Sequence, residues 1–205
     1  MSVNRSPGHA TGNNADVLPA RQEPDVALPT PAEHLAVAAA DLLGWQGVVL
    51  PALTLFGRRV IPVAELIHEA HAERLCLGYA PVVDRASVET WVWPELTAQV
   101  PPPAVRIAGM LSLGRHWRTG LASVAPFARF CGAAMVLPDG VLGLADFQDN
   151  CLSRAQRHEV TVLTTTAADD GLDVAQSAWP ELVDPTVSVT GLWLNEVIYE
   201  RMLAE

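Results

Sequence analysis

WPELTAQVPPPAVRIAGMLSL, residues 93–113, is the stretch whose reading decides the fold, because a shortened copy returns near the C-terminus. Trp93, Pro94, Glu95 and Leu96 recur letter for letter as Trp179, Pro180, Glu181 and Leu182. Downstream, Pro103, Val105, Ile107, Gly109 and Met110 are answered by Pro185, Val187, Val189, Gly191 and Leu192, the same alternation ending at the same glycine. Working outward, Val60 aligns with Val141, Glu65 with Asp146 and Arg74 with Arg157, and the drift in offset falls where loops would take it up. Self-similarity of this kind predicts one structural unit used twice.

The predicted class is α+β: two tandem related units, each a helix, a β-hairpin, a helix and strands, with antiparallel sheets, preceded by a disordered tail. Residues 1–31 form the tail, polar and proline-rich with no apolar periodicity. The first unit covers residues 32–117. Its opening helix runs from Pro31 to Leu43, begun by Thr30-Pro31 and stopped by Gly44. A hairpin follows, with strands at Val48 to Phe56 and Val60 to Val63. A helix from Ala64 to Leu75 turns Leu66, Ile67, Ala70 and Leu75 inward; Cys76 to Val83 and Val88 to Trp93 read as strands, and Val105 to Leu113 as a longer one. In the second unit, residues 118–205, the equivalents are a helix from Gly120 to Phe130, a hairpin of Gly132 to Leu137 with Val141 to Leu144, a helix from Ala145 to Arg157, a strand from His158 to Thr165 and a loop from Ala167 to Asp173. Leu192 to Leu203 fits a strand to about Ile198 or an amphipathic helix.

Half of the residues are hydrophobic and the mean hydropathy is +0.21, yet the longest apolar run, Val48 to Phe56, contains Pro51 and Thr54. That falls far short of the roughly 20 residues that span a bilayer. Residues 1–31 also lack the apolar core of a secretory signal, so the chain is expected to be cytoplasmic. The three cysteines, Cys76, Cys131 and Cys151, have neither the number nor the spacing of a disulfide framework or zinc site.

Charge narrows the function. All 13 basic residues are arginine, against 23 acidic residues, for a net charge of −10. Such a chain is repelled by phosphate backbones and anionic lipid, which argues against nucleic acid and membrane and for a protein partner. Without lysine there is no Walker-A lysine, no Schiff-base lysine and no SxxK acylation centre. Gly109 to Gly114 is one residue too long for GxSxG, and no glycine-rich phosphate loop follows a strand, so the sequence assigns no cofactor.

Two constellations carry chemistry. Glu65 and His68 have the ExxH spacing of a metal half-site, and in the aligned unit they correspond to Asp146 and Asp149. Two helices meeting at a pseudo-twofold axis would unite the four as ligands for a divalent metal, whereas the plainer reading is a solvated acidic helix face. Arg115, Trp117 and Arg118 form a compact basic and aromatic patch, and Trp91 and Trp93, two residues apart, would share one face of a strand; all five are candidate partner-binding residues, with core packing as the plainer role of the tryptophans.

The expected function is therefore a noncatalytic cytoplasmic protein-interaction protein of adaptor, chaperone or immunity type. One alternative is a small metal-dependent enzyme with its site between the repeats, at Glu65, His68, Asp146 and Asp149. The other is a small-molecule binding module whose pocket between repeats is lined by Trp93 and Trp179.

Overall fold

A computed structural model describes residues 31–96, 99–166 and 171–205. Apart from Pro31, the expected tail over residues 1–31 lies outside them, as does part of the loop expected from Ala167 to Asp173. In chain order the elements are α1 (Ala32–Leu42), β1 (Val48–Val49), β2 (Leu53–Leu55), β3 (Arg58–Leu66), α2 (His68–Leu77), α3 (Arg85–Glu89), β4 (Val105–Leu113), α4 (Trp117–Val124), β5 (Gly132–Leu137), α5 (Leu152–Arg157), β6 (Thr161–Thr165), β7 (Leu172–Gln176) and α6 (Val189–Leu203).

The fold is mixed α+β, built on one mixed sheet of order β1-β3-β4-β5-β6-β7, with β2 also pairing to β3. β3 meets β4 antiparallel, β4, β5 and β6 run parallel, and β7 closes the edge antiparallel to β6. The parallel pairs correct the expectation of purely antiparallel sheets. Their sequences explain them: β5 and β6 are buried at nearly every position, as strands covered on both faces must be. Alternate residues go to opposite faces. Met110, Met135 and Val162 pack with Leu121 of α4, Ala155 of α5 and Leu194 and Ile198 of α6, whereas Leu111, Ala134, Val136 and Leu163 pack with Ala36, Ala39 and Ala40 of α1.

On the α1 face, Trp45 lies across the two central strands. A Cβ added at Gly109 would sit 2.3 Å from the Trp45 ring, and one at Gly132 would sit 2.6 Å from it. Both positions therefore exclude a side chain for close packing, which is the structural meaning of the glycine that ends the alternating pattern in β4. The β2–β3 hairpin turns at Phe56 (φ 50°) and Gly57 (φ 70°), the two left-handed residues of a type I′ turn. Phe56 is a bulky side chain for that conformation, and its ring is held at 5.1 Å from Trp193 and 5.7 Å from Phe127.

The duplication reads differently in three dimensions. Val105–Leu113 is a strand, but Pro185–Val187 is a single 3-10 turn and Val189–Leu203 is a helix, capped where Ser188 Oγ accepts from Gly191 N–H. The expected second hairpin is absent too: after β5, Asp139–Val141 forms a 3-10 turn and Phe147–Cys151 a π-helical turn. The 117/118 boundary falls within the first turn of α4, between two strands that pair in the same sheet.

α2 departs from expectation as well. β3 extends to Leu66, so the helix starts at His68 and continues to Leu77, where Gly78 adopts φ 73° and Tyr79 N–H donates to Arg74 O at 2.8 Å. Its buried residues are Ala70 and Arg74, and Leu75 faces water. The burial of Arg74 is balanced by α6: its Nη1 and Nη2 donate to Glu196 Oε2 and Oε1 at 3.0 and 2.5 Å, and its Nε donates to Pro102 O at 2.7 Å. Val82 N–H adds a further bond to Glu196 Oε2, at 2.9 Å. Removing one member of such a pair strands the other charge in the core. Arg74→Ala is expected to cost about 3–5 kcal/mol in urea unfolding. Arg106→Ala, which breaks the exposed Glu65–Arg106 contact, is expected to cost under about 1 kcal/mol.

Candidate functional site

The four residues expected to hold a metal divide between opposite ends of β4. Glu65, next to the end of β3, pairs in register with Arg106 at the start of β4, and its Oε2 accepts from Arg106 Nη1 at 3.1 Å. His68 is exposed in the first turn of α2. Asp146 lies beyond the other end: its Oδ2 accepts from Trp117 Nε1 at 2.7 Å, and its Oδ1 accepts from Arg118 Nη2 at 2.7 Å and Asn150 Nδ2 at 3.0 Å. A nine-residue strand is roughly 25–30 Å long. No single ion reaches both pairs, which corrects the proposed ligand set. Asp149 is exposed on the π-helical turn, and among the described residues no three His, Cys, Asp or Glu side chains cluster as metal ligands. The physical reason is that Glu65 belongs to a strand, so it never shares a helix face with His68.

What the structure does bring together is Asp146 with two of the expected partner-binding residues. Trp117 is only 4% exposed, lying under Arg118 and Arg154 whose guanidinium carbons are 4.6 and 5.8 Å from its ring centroid. The Trp117 N–H, with Arg118 adding to it, holds the Asp146 carboxyl below the usual carboxylate range. Trp117 and Arg118 thus fasten the β4–α4 junction to the segment after β5, and Trp117 offers no face to a partner. Arg115 is exposed at the end of β4.

Burial likewise removes two thiols from chemistry. Cys131 is pushed up to about 12 by desolvation, and Cys151 to about 12 by desolvation and then by the charge of Asp146. Cys76 is exposed on α2.

The polar cluster that sequence reading missed joins α2 to α6. Beside the Arg74–Glu196 pair, the Arg74 guanidinium lies 5.0 Å from the Tyr199 ring centroid, and His71 Nδ1 is 2.8 Å from Tyr199 Oη. Asn195 Oδ1 accepts from Ala104 N–H at 3.1 Å while its Nδ2 donates to Val105 O at 2.7 Å, completing the backbone at the start of β4. A signal existed: Ala70 and Arg74 are four apart, as are Asn195 and Tyr199, so each pair shares a helix face.

The remaining candidates are tryptophans. Trp91 is half-buried, and Trp93 is 56% exposed. They lie in a 3-10 turn, Thr90–Val92, and the turn after it, closed by Leu96 N–H donating to Trp93 O at 2.9 Å; a shared strand face is therefore not what relates them. Trp179 is 90% exposed. Two clefts bear on the pocket expected between Trp93 and Trp179, and Trp93 lines neither. One, of about 410 Å³, has Trp179, Pro180 and Leu182 against Trp45. The other, of about 470 Å³, lies between Pro103–Ile107 and the chain from Leu182 to Thr186, and neither tryptophan lines it.

Comparison of the chain with protein-family models, with curated proteins and with solved structures returned no match.

Two measurements check this geometry. In the native protein a thiol reagent such as Ellman's is expected to modify Cys76 rapidly, with Cys131 and Cys151 reacting only after unfolding. Because the folded Asp146 carboxyl is held below its ordinary value of 3.8, its stabilising contribution is complete above that pH and is lost as pH falls through the lower folded value. Asp146→Asn should therefore lose most stability at neutral pH and least in acid, with its unfolding midpoint approaching that of the wild type as the pH is lowered.

Proposed function

We propose that this chain is a noncatalytic protein-interaction protein that docks a basic protein partner through exposed tryptophan. The observation that carries this reading is Trp179, 90% exposed in the irregular segment between β7 and α6. A tryptophan side chain has on the order of 150–250 Å² to bury, and full burial of a large apolar side chain is worth about 1.5–3 kcal/mol. Left in water, that surface contributes nothing to folding and is available to association, where Trp is enriched among the residues that dominate binding energy.

Other features agree. Trp93, from the first copy of the tetrapeptide, is also exposed, as are Val92 beside it and Leu182 three residues after Trp179. At the C-terminal end of α2, Leu75 is 65% exposed, and Leu77 and Tyr79 also face water, while the arginine of the same helix is buried. The exposed charges of α2 are acidic, Glu69 and Glu73, consistent with the net charge of −10 and with a cationic partner.

Capture of the native partner by purified full-length chain tests this directly. Trp179→Ala and Trp93→Ala are expected to leave the unfolding midpoint unchanged, and at least one should weaken a stoichiometric complex by about 30-fold or more, the scale of a binding hot spot. The affinity of that complex should also fall as salt is raised. Full affinity in the double variant, or a complex indifferent to salt, overturns the reading.

A further inference from the structure

The cleft of about 470 Å³ at the N-terminal end of β4 has a wall chemistry distinct from the exposed tryptophans, and from it we propose a binding site for an uncharged lipophilic small molecule. Its size falls within the roughly 300–1,000 Å³ of sites that enclose such ligands. The surface inside is supplied mainly by Ile67, Val105, Ile107, Phe130, Leu182 and Leu194.

The polar groups in the wall determine the ligand class, because each is already engaged within the protein. Asn195 is spent on Ala104 and Val105. Asp184 Oδ1 accepts from Thr186 N–H at 2.8 Å and from Thr186 Oγ1 at 2.7 Å, and these bonds hold its carboxyl below the usual range. Arg106 pairs with Glu65. The wall therefore holds one cation and one anion, Arg106 and Asp184, so a head group of either charge that is drawn to one of them is repelled by the other. An apolar body gains from burial without that cost.

The cleft is also built rather than incidental. A Cβ at Gly191 would lie 2.1 Å from Pro185 O, so the turn carrying Asp184 and Thr186 is pressed directly onto α6. Val183 N–H donates to Arg129 O at 2.8 Å, fixing the facing segment to the chain just before β5. Walls set in advance lower the ordering cost of binding. Pro103, Val105 and Ile107 on one side face Pro185 and Gly191 on the other, so the two stretches of similar letters meet across this cleft.

Titration of the full-length protein with the neutral probe N-phenyl-1-naphthylamine tests the site, read by probe emission and by calorimetry. One saturable site per chain is expected. Ile107→Trp and Thr186→Trp, which fill the cleft from the strand and from the rim, should each weaken binding by about 10-fold or more, the scale of an overpacked contact. Thr186 is exposed, so its variant decides the matter should Ile107→Trp fail to fold. Trp179→Ala, outside the cleft, should leave affinity within about 2-fold, and the anionic analogue 8-anilinonaphthalene-1-sulfonate should bind no tighter than the neutral probe. Absence of saturation, indifference to Thr186→Trp, or tighter binding of the anion overturns the proposal. Loss of binding in Trp179→Ala also overturns it, by locating the probe in the cleft beside Trp45; the partner-capture experiment is unaffected by any of these results.

Discussion

The burial of three neighbouring strands on both faces imposes the main constraint on this molecule. β5, β6 and the Gly109–Ser112 part of β4 have almost no wet side, so the chain must cover them twice and satisfy every backbone group it encloses. α4, α5 and α6 do this on one face. On the other, the slender α1 presents mostly alanine, and Trp45 fills the remaining space over Gly109 and Gly132. Where β4 begins, backbone groups of Ala104 and Val105 turn towards α6, and Asn195 completes them. The same helix then supplies Glu196 to the buried Arg74. Polar residues on an enclosed face of α6 are thus a consequence of where that helix has to lie.

The recurring tetrapeptide shows how little four letters determine. Trp93 begins a turn that closes on Leu96, while the second copy lies in an irregular segment whose next residue, Val183, is tied to Arg129. The apolar alternation that follows becomes a strand in one place and, in the other, a 3-10 turn and a helix. Val105 to Leu113 pairs with β3 and β5 on either side, whereas Ser188 caps Gly191 and starts a helix in the second stretch. Alternation is compatible with either outcome over so few residues.

The expected metal constellation depended on Glu65 and His68 sharing a helix. β3 continues through Leu66 because its register with β4 extends to Val105, and this moves Glu65 onto a strand and the helix start to His68. Leu75, expected to turn inward, faces water for a different reason. Helical periodicity favours Leu75 as the inward residue, but Glu196, 122 positions away, makes burial of the arginine the stable arrangement. A local pattern cannot register a partner so distant.

Local chemistry alone determined a good deal of this protein. Helix α1 ends at Leu42, just before the left-handed Gly44 that was its expected stop, the β2–β3 hairpin forms around Gly57, and β4 spans Val105–Leu113. No described helix is long and apolar enough to cross a membrane, in line with the longest apolar run, and the charge of −10 is a property of composition. Tertiary structure decided the parallel pairing of β4, β5 and β6, the helical state of α6, the inward turn of Arg74, the burial of Trp117 and the exposure of Trp179. These depend on contacts between residues far apart in the chain, whose burial and hydrogen bonding outweigh propensities of a few tenths of a kcal/mol per residue, on the order that intrinsic scales assign.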